Sequence, residues 1–529
     1  MGRKLFTVFL VLSMVMVMMP VTAFASENVA KIDDVEYATL KEAVEEAENG
    51  DTIELLADAE ASNITIRKSL TFNLNGNTLK GNEESIYLFS PWGEDITVTF
   101  NDGIMEVVNQ EPGSMGVQVV GSTCVFNNVE LKIPVPDGDS DYSYGIKALV
   151  DTYDKVKLTF NDSRITEIED PDVAVTFGAV GIIVAGKYDN KEINVNLDNY
   201  EKSAVLEING STINTTGFAV SGNGAAHGTQ IMINDSNLTA KESTAIYHPQ
   251  MGDMTVTGGS LTGGTGMEVR AGNVTVTGGT TITATADPTT VDPNGNGTTS
   301  LGAAIAVSQH TTKLPIVLNV ENGALTGSSA LVANNPQGNS EEDIEKISIN
   351  ISNGLFTGIV QTNGGGKVEV TGGTFDNLGD KVTIAADDVA KVTEKGNAYT
   401  IVGLVNINEG IKDLGSGSEV DVIKAGEGSA INAPDGVTVK NSSANTISVN
   451  DTTLNAGEEI TVIVPEEDTP VDPGDDTQEP PTADNEEGSD TAKGEEIPKT
   501  GDESNLLIWL IIMATAATGA AALKVKKHQ

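Results

Sequence analysis

The 529-residue chain contains one cysteine, Cys124, so no internal disulfide staples it. Aromatic residues make up only 4 % of the chain, which leaves little material for a dedicated lectin groove. Cations are scarce as well: 31 Lys and Arg stand against 76 Asp and Glu, a formal net charge of -45. Phosphate backbones are bound by clustered Lys and Arg, so this balance excludes a nucleic-acid partner. It favours a solvated, self-repelling surface. Long apolar runs are confined to the two ends. Glycine, at 56 residues, is plentiful.

Both ends read as targeting signals. Arg3 and Lys4 precede an apolar run from Leu5 to Val21, followed by Ala23-Phe24-Ala25. A charged region, an apolar region and an A-x-A site predict a signal peptide over 1–25, cleaved by signal peptidase so that Ser26 begins the mature chain. At the other end, Ile497-Pro498-Lys499-Thr500-Gly501 precedes an apolar span, 506–523, and a basic tail. Alone, that span reads as a transmembrane helix held by positive charges. With the pentapeptide in front, residues 497–529 resemble the LPxTG-type cell-wall sorting signal of Gram-positive surface proteins. Pro498, Thr500 and Gly501 match, Lys499 fills the free position, and Ile497 replaces the usual Leu. The resemblance implies that a sortase cuts after Thr500 and joins its carboxyl to peptidoglycan. The membrane then holds the chain only before sorting, and the mature protein is secreted and bound to the cell wall.

Between these signals the pattern is β. Residues 26–49 predict a capping helix: Thr39 and Glu42 form a capping box, Leu40, Ala43, Val44 and Ala47 share one face, and Gly50 ends it. Such a helix suits the open end of a sheet, whose unpaired edge needs cover. From 50 to 403 one phrase recurs, an alternating strand followed by a polar corner. Copies include VTFNDGIM (98–105), LTFNDSRI (158–165), IMINDSNL (231–238) and MTVTGGSL (254–261). Most intervals cluster near 19–26 residues, while 48 and 44 read as two coils or as one coil with an insertion. A second strand, as in GIKALV or AIAVSQ, lies between copies.

This period predicts an all-β chain folded as a right-handed parallel β-helix of about fourteen to sixteen coils, each about 4.8 Å above the last. Small sandwiches need longer units, and the leucine-rich frame is absent. Asn73, Asn101, Asn127, Asn161, Asn209 and Asn234 recur at one corner, where Asn tolerates a left-handed backbone and can form a ladder. Val256 and Val276 stack inward, and Cys124 points inward beside Phe126. Residues 404–465 predict a small β module with different turns. Residues 466–496 carry 13 Asp and Glu, four Pro and one Lys. They cannot bury a core and predict a disordered acidic stalk.

The repeat region resembles the pectate-lyase-like β-helix surface proteins of Gram-positive bacteria. That fold hosts lyases, glycosidases and adhesins alike, so function must come from a site. Asp102, Asp162 and Asp235 share a corner, which suits turn formation as well as carboxylate chemistry. No base recurs on their line, since Arg164 and Arg270 fall in different phases. His227, His248 and His310 precede repeat strands without metal-ligand spacing. DGDSDYS (137–143) and DPNGNG (292–297) resemble the start of a calcium loop, giving Asp292, Asn294 and Asn296 as candidate ligands. Ala148 and Ala303 stand where such a loop closes with Glu. Tyr142, Tyr144, Tyr188 and Trp92 offer rings to a sugar or to loop packing. The sequence therefore points to a non-enzymatic display protein that binds a host or glycan ligand. A wall-bound polysaccharide lyase or glycoside hydrolase is the alternative, and a passive spacer a second one.

Overall fold

The computed structural model describes residues 28–136, 142–168, 178–188, 202–224, 226–290 and 298–463. The expected signal peptide with Ala23, Ala25 and Ser26, the segment 466–496 and the sorting signal with Thr500 lie outside them. So do Asp292, Asn294, Asn296 and most of 137–143. The described chain is mostly β-strand with few helices and one large mixed sheet.

The recurring phrase builds a parallel ladder. Its inward residues run Ile53, Phe72, Phe100, Phe126, Phe160, Ile208, Ile233, Val256, Val276, Val320, Ile351, Val370 and Ile384, each paired with the next. That is thirteen levels, fewer than the sequence period suggests. The intervals of 48 and 44 account for the difference. Phe160 pairs directly with Ile208, and Val276 with Val320, so each long interval is one level carrying an insertion. Phe72, Phe100 and Phe126 are fully buried, with successive ring centroids 5.0 and 5.3 Å apart. Cys124 sits in the same ladder between Val98 and Leu158, fully buried. Burial pushes its thiol pKa up.

Two further parallel ladders face the first. One runs through Leu79, Met105, Leu131, Ile165, Ile213, Leu238, Leu261, Ile282, Leu325, Phe356 and Phe375. The other runs through Ile64, Phe89, Val117, Ile146, Ile182, Val220, Ile246, Met267, Ile305 and Leu331. This third ladder contains the intervening strand seen in sequence. It also carries small inward residues at Gly116, Gly145, Gly181 and Gly266. A Cβ on Gly181 would lie 2.5 Å from the Ile213 side chain and 2.6 Å from the Ala219 carbonyl oxygen. The large residues of the second ladder therefore fill the space these glycines leave.

The corner between the first two ladders explains its composition. Asp102, Asn128, Asp162, Gly210, Asp235, Gly258 and Gly278 all have φ between 46° and 67°. Asn, Asp and Gly tolerate that left-handed conformation best. Just before the corner, Asn101 donates to Asn73, Asn127 to Asn101, Asn161 to Asn127, Asn209 to Asn161 and Asn234 to Asn209, each at 2.8–2.9 Å. Just after it, Ser163, Ser211 and Ser236 make a second column absent from the sequence reading. Their hydroxyls accept from the backbone N–H of Val129, Ser163 and Ser211 in turn.

At each end an antiparallel strand covers the outermost strand of one ladder, the first ladder at the start and the second at the far end. At the start, Ala30–Ile32 pairs with Thr52–Leu55 and with Val35–Tyr37; the helical reading of 26–49 misses Ala30–Ile32 and Val35–Tyr37. The helix Leu40–Glu46 has the expected Thr39–Glu42 capping box. It stops before Gly50, because Ala47 turns to ψ 142° and Lys68 Nζ takes up the Glu45 and Ala47 carbonyls. At the far end, Gly373–Leu378 pairs with Asn397–Val402.

Residues 404–463 are not all β. They open with a helix, Leu404–Ile411, and pack a second core around Ile407, Ile411, Val420, Val422 and Val439 that also takes in Ala390, Val392 and Ile401 from the strands before it. The layout repeats that of the N-terminus. There a helix leads to a strand in which Ile53 pairs in parallel with Phe72, 72 − 53 = 19 residues on. Here Val420 pairs in parallel with Val439, 439 − 420 = 19 residues on.

Candidate functional site

The corner acids, candidates for carboxylate chemistry, hold left-handed turn positions. Asp102 accepts from Asn128 Nδ2 at 2.8 Å, and a Cβ on Gly210 would meet Asp162 Oδ1 at 2.6 Å. Arg164 is exposed near Glu130, and Arg270 is fully buried on a different ladder. The structure does not bring these acids and arginines together. Among the described residues, no group of three His, Cys, Asp or Glu could hold a metal ion.

The outer face of the third ladder is different. Tyr87, Met115, Tyr144 and Val180 stand in register. The Gly181 N–H donates to the Phe218 carbonyl, which puts Phe218 level with them. With Tyr142 and Tyr247 they form an apolar cluster separate from the core. Phe218 stacks on Tyr247 at 5.2 Å, Tyr142 lies 5.9 Å from Phe218 and 6.4 Å from Tyr144, and Lys147 Nζ stands 5.1 Å over Tyr144. A hollow of about 150 Å³ opens among these rings, closed on one side by Ser221, Gly222, Asn223 and Gly224. Of the rings singled out in sequence, Tyr142 and Tyr144 meet here. Trp92 lies elsewhere, 5.7 Å from Arg67. Tyr188 pairs by its backbone with Ala226.

Buried polar side chains support this hollow from behind. Tyr247 stands beside Glu268 in the ladder register. Arg270 Nη1 donates to the Tyr247 hydroxyl at 3.2 Å, and its Nε to the Ser308 carbonyl at 3.2 Å. Glu268 accepts from the Thr299 N–H and hydroxyl and from the Ser308 hydroxyl, with Arg270 Nε 3.9 Å away. Both ions are fully buried. Burial pushes the Glu268 carboxyl above its usual range, against those hydrogen bonds and the Arg270 charge. Gln250 donates from Nε2 to the Val184 carbonyl and accepts the Asn223 N–H. His310 lies against Gly224. His248 is inward and fully buried, which lowers its imidazole to about 4. His227 pairs by its backbone with Lys187 and Met251.

Sequence spacing gave no sign of this convergence, because Tyr142 and Tyr247 are more than a hundred residues apart. The one readable signal was the aromatic residues in or beside the intervening strands, Tyr144, Phe218 and Tyr247, where other copies such as AIAVSQ hold none. A second, wider groove of about 630 Å³ runs along another corner, where Lys202 and Lys157 pair with Asp253 and Glu207. Among the described residues no helix is long and apolar enough to cross a membrane. No protein-family model, curated protein or solved structure matches the chain.

Proposed function

We propose that this is a secreted surface protein of a Gram-positive cell wall, joined to peptidoglycan through Thr500 by a sortase. It displays its repeat region as a right-handed parallel β-helix for adhesion or ligand interaction. The observation that carries this reading is the order of Ile497–Gly501, the apolar span 506–523 and the basic tail, behind an N-terminal signal sequence. Three stacked parallel ladders support the β-helix reading, since each level buries its inward residues against the levels above and below. The acidic segment 466–496 serves as the stalk. In cell fractionation, Thr500→Ala is expected to move the protein out of the covalent wall fraction. Unchanged wall retention would overturn the anchoring.

The lyase or hydrolase alternative makes a separate prediction. Acidic and neutral polysaccharides are incubated with the protein, with and without calcium. The display reading expects no product. Product release that disappears in Asp162→Ala or Asp235→Ala would replace it with the enzymatic one.

A further inference from the structure

We propose that the hollow between Tyr144, Phe218 and Tyr247 is a binding subsite for one neutral sugar ring of a glycan. The proposal rests on the reading of the protein as a ligand-displaying surface protein and names the ligand class. The first support is where the rings are. Phenylalanines fill the stacked core, with Phe72, Phe100, Phe126, Phe160, Phe356 and Phe375 all fully buried. Of the nine tyrosines, Tyr87, Tyr142, Tyr144 and Tyr247 gather on this one outer face. A ring with a polar edge suits a surface that is apolar on one side and wet on the other.

The second support is the lining. Aromatic faces form one wall, and Ser221 with the polar backbone of Gly222–Gly224 forms the other. A pyranose is amphipathic in the same way, with C–H faces and hydroxyls around its rim. An anionic sugar meets a chain of net charge -45, and a second copy of the chain meets the same repulsion. The volume, about 150 Å³, suits one ring rather than a chain segment.

The third support is preorganisation. A buried ion pair such as Glu268–Arg270 is weak evidence for a stability role, because desolvation offsets its attraction. Here Arg270 reaches the Tyr247 hydroxyl and fixes the ring. Gln250, also fully buried, holds the opposite wall through the Asn223 N–H. A Cβ on Gly222 would come within 2.3 Å of Gln250 Nε2, so that wall is closely seated. Rings and polar groups held in place before a ligand arrives lose less entropy on binding it.

The test is calorimetry on the purified full-length chain with neutral hexasaccharides built from glucose, N-acetylglucosamine, mannose or galactose. Hexagalacturonate and a phenylalanine-rich peptide are the comparison probes. At least one neutral hexasaccharide is expected to bind. Tyr144→Ala and Tyr247→Ala should each weaken it about tenfold, the loss of a stacked ring. Tyr247→Phe, which keeps the ring but removes the Arg270 acceptor, should weaken it about threefold. Asn223→Ala alters the polar wall and no ring, and should also weaken it. Tyr87→Ala, in the same stripe but not lining the hollow, should not. If the alanine variants unfold, Tyr247→Phe and Asn223→Ala decide the matter. No neutral binding, binding indifferent to these variants, or binding only of hexagalacturonate or the peptide overturns the proposal. Loss of wall anchoring leaves this result unaffected, because the readout uses purified protein.

Discussion

At the residue scale, the corner shows how one backbone conformation selects composition. Asp162 has φ 47° and Asp235 φ 46°, so an acid there needs no chemical reason. Asp162→Gly should be nearly neutral, whereas Asp162→Val should destabilise by about 1–2 kcal/mol, since a β-branched residue resists left-handed backbone. Asn161→Ala removes a donor to Asn127 and an acceptor from Asn209. It should cost about 1–3 kcal/mol in denaturant unfolding, because part-buried groups lose their partners. His248 adds a pH dependence. Its imidazole falls from an ordinary value near 6.5 to about 4 because burial disfavours the cation. Its contribution is therefore complete above the unfolded value and is lost as pH falls from 6.5 towards 4, by about 3 kcal/mol. Glu268, raised by burial, works in the opposite direction. The comparison is accordingly between wild type and His248→Leu, whose unfolding free energy should fall less steeply across that window.

At the element scale, what was legible followed local rules. The phrase VTFNDG states an alternating strand and a left-handed corner within six residues, and the register Phe72–Phe100–Phe126–Phe160 follows it. The Thr39 capping box was legible for the same reason. Thr39→Ala should cost about 1 kcal/mol and lower the melting temperature. The helix Leu404–Ile411 was not legible. It has no side-chain cap, contains Asn406, Asn408 and Gly410, and its Ile407 and Ile411 also suit a strand pattern. Its packing against the C-terminal core decides the outcome over propensity. The long intervals were ambiguous in sequence because an insertion and an extra level have the same length. Only the pairing of Phe160 with Ile208 separates them. The Arg270–Tyr247–Glu268 network was invisible because residues on separate levels meet only once the strands are in register.

At the scale of the whole molecule, two kinds of observation meet. The repeat region supplies three ladders, an antiparallel cover over one of them at each end, and an aromatic hollow on one face. The sequence beyond residue 465 supplies an acidic segment and then a pentapeptide, apolar span and basic tail in the order of a sorting signal, and the proposed function places the chain at the cell wall on that order. The proposed anchoring rests on Thr500. The most direct measurement is mass spectrometry of the protein released from purified walls by a peptidoglycan hydrolase. The account predicts C-terminal peptides that end at Thr500 and carry a peptidoglycan fragment in amide linkage, with nothing from Gly501 onward. Wall-derived peptides that run uncut through Thr500 and Gly501 would contradict it.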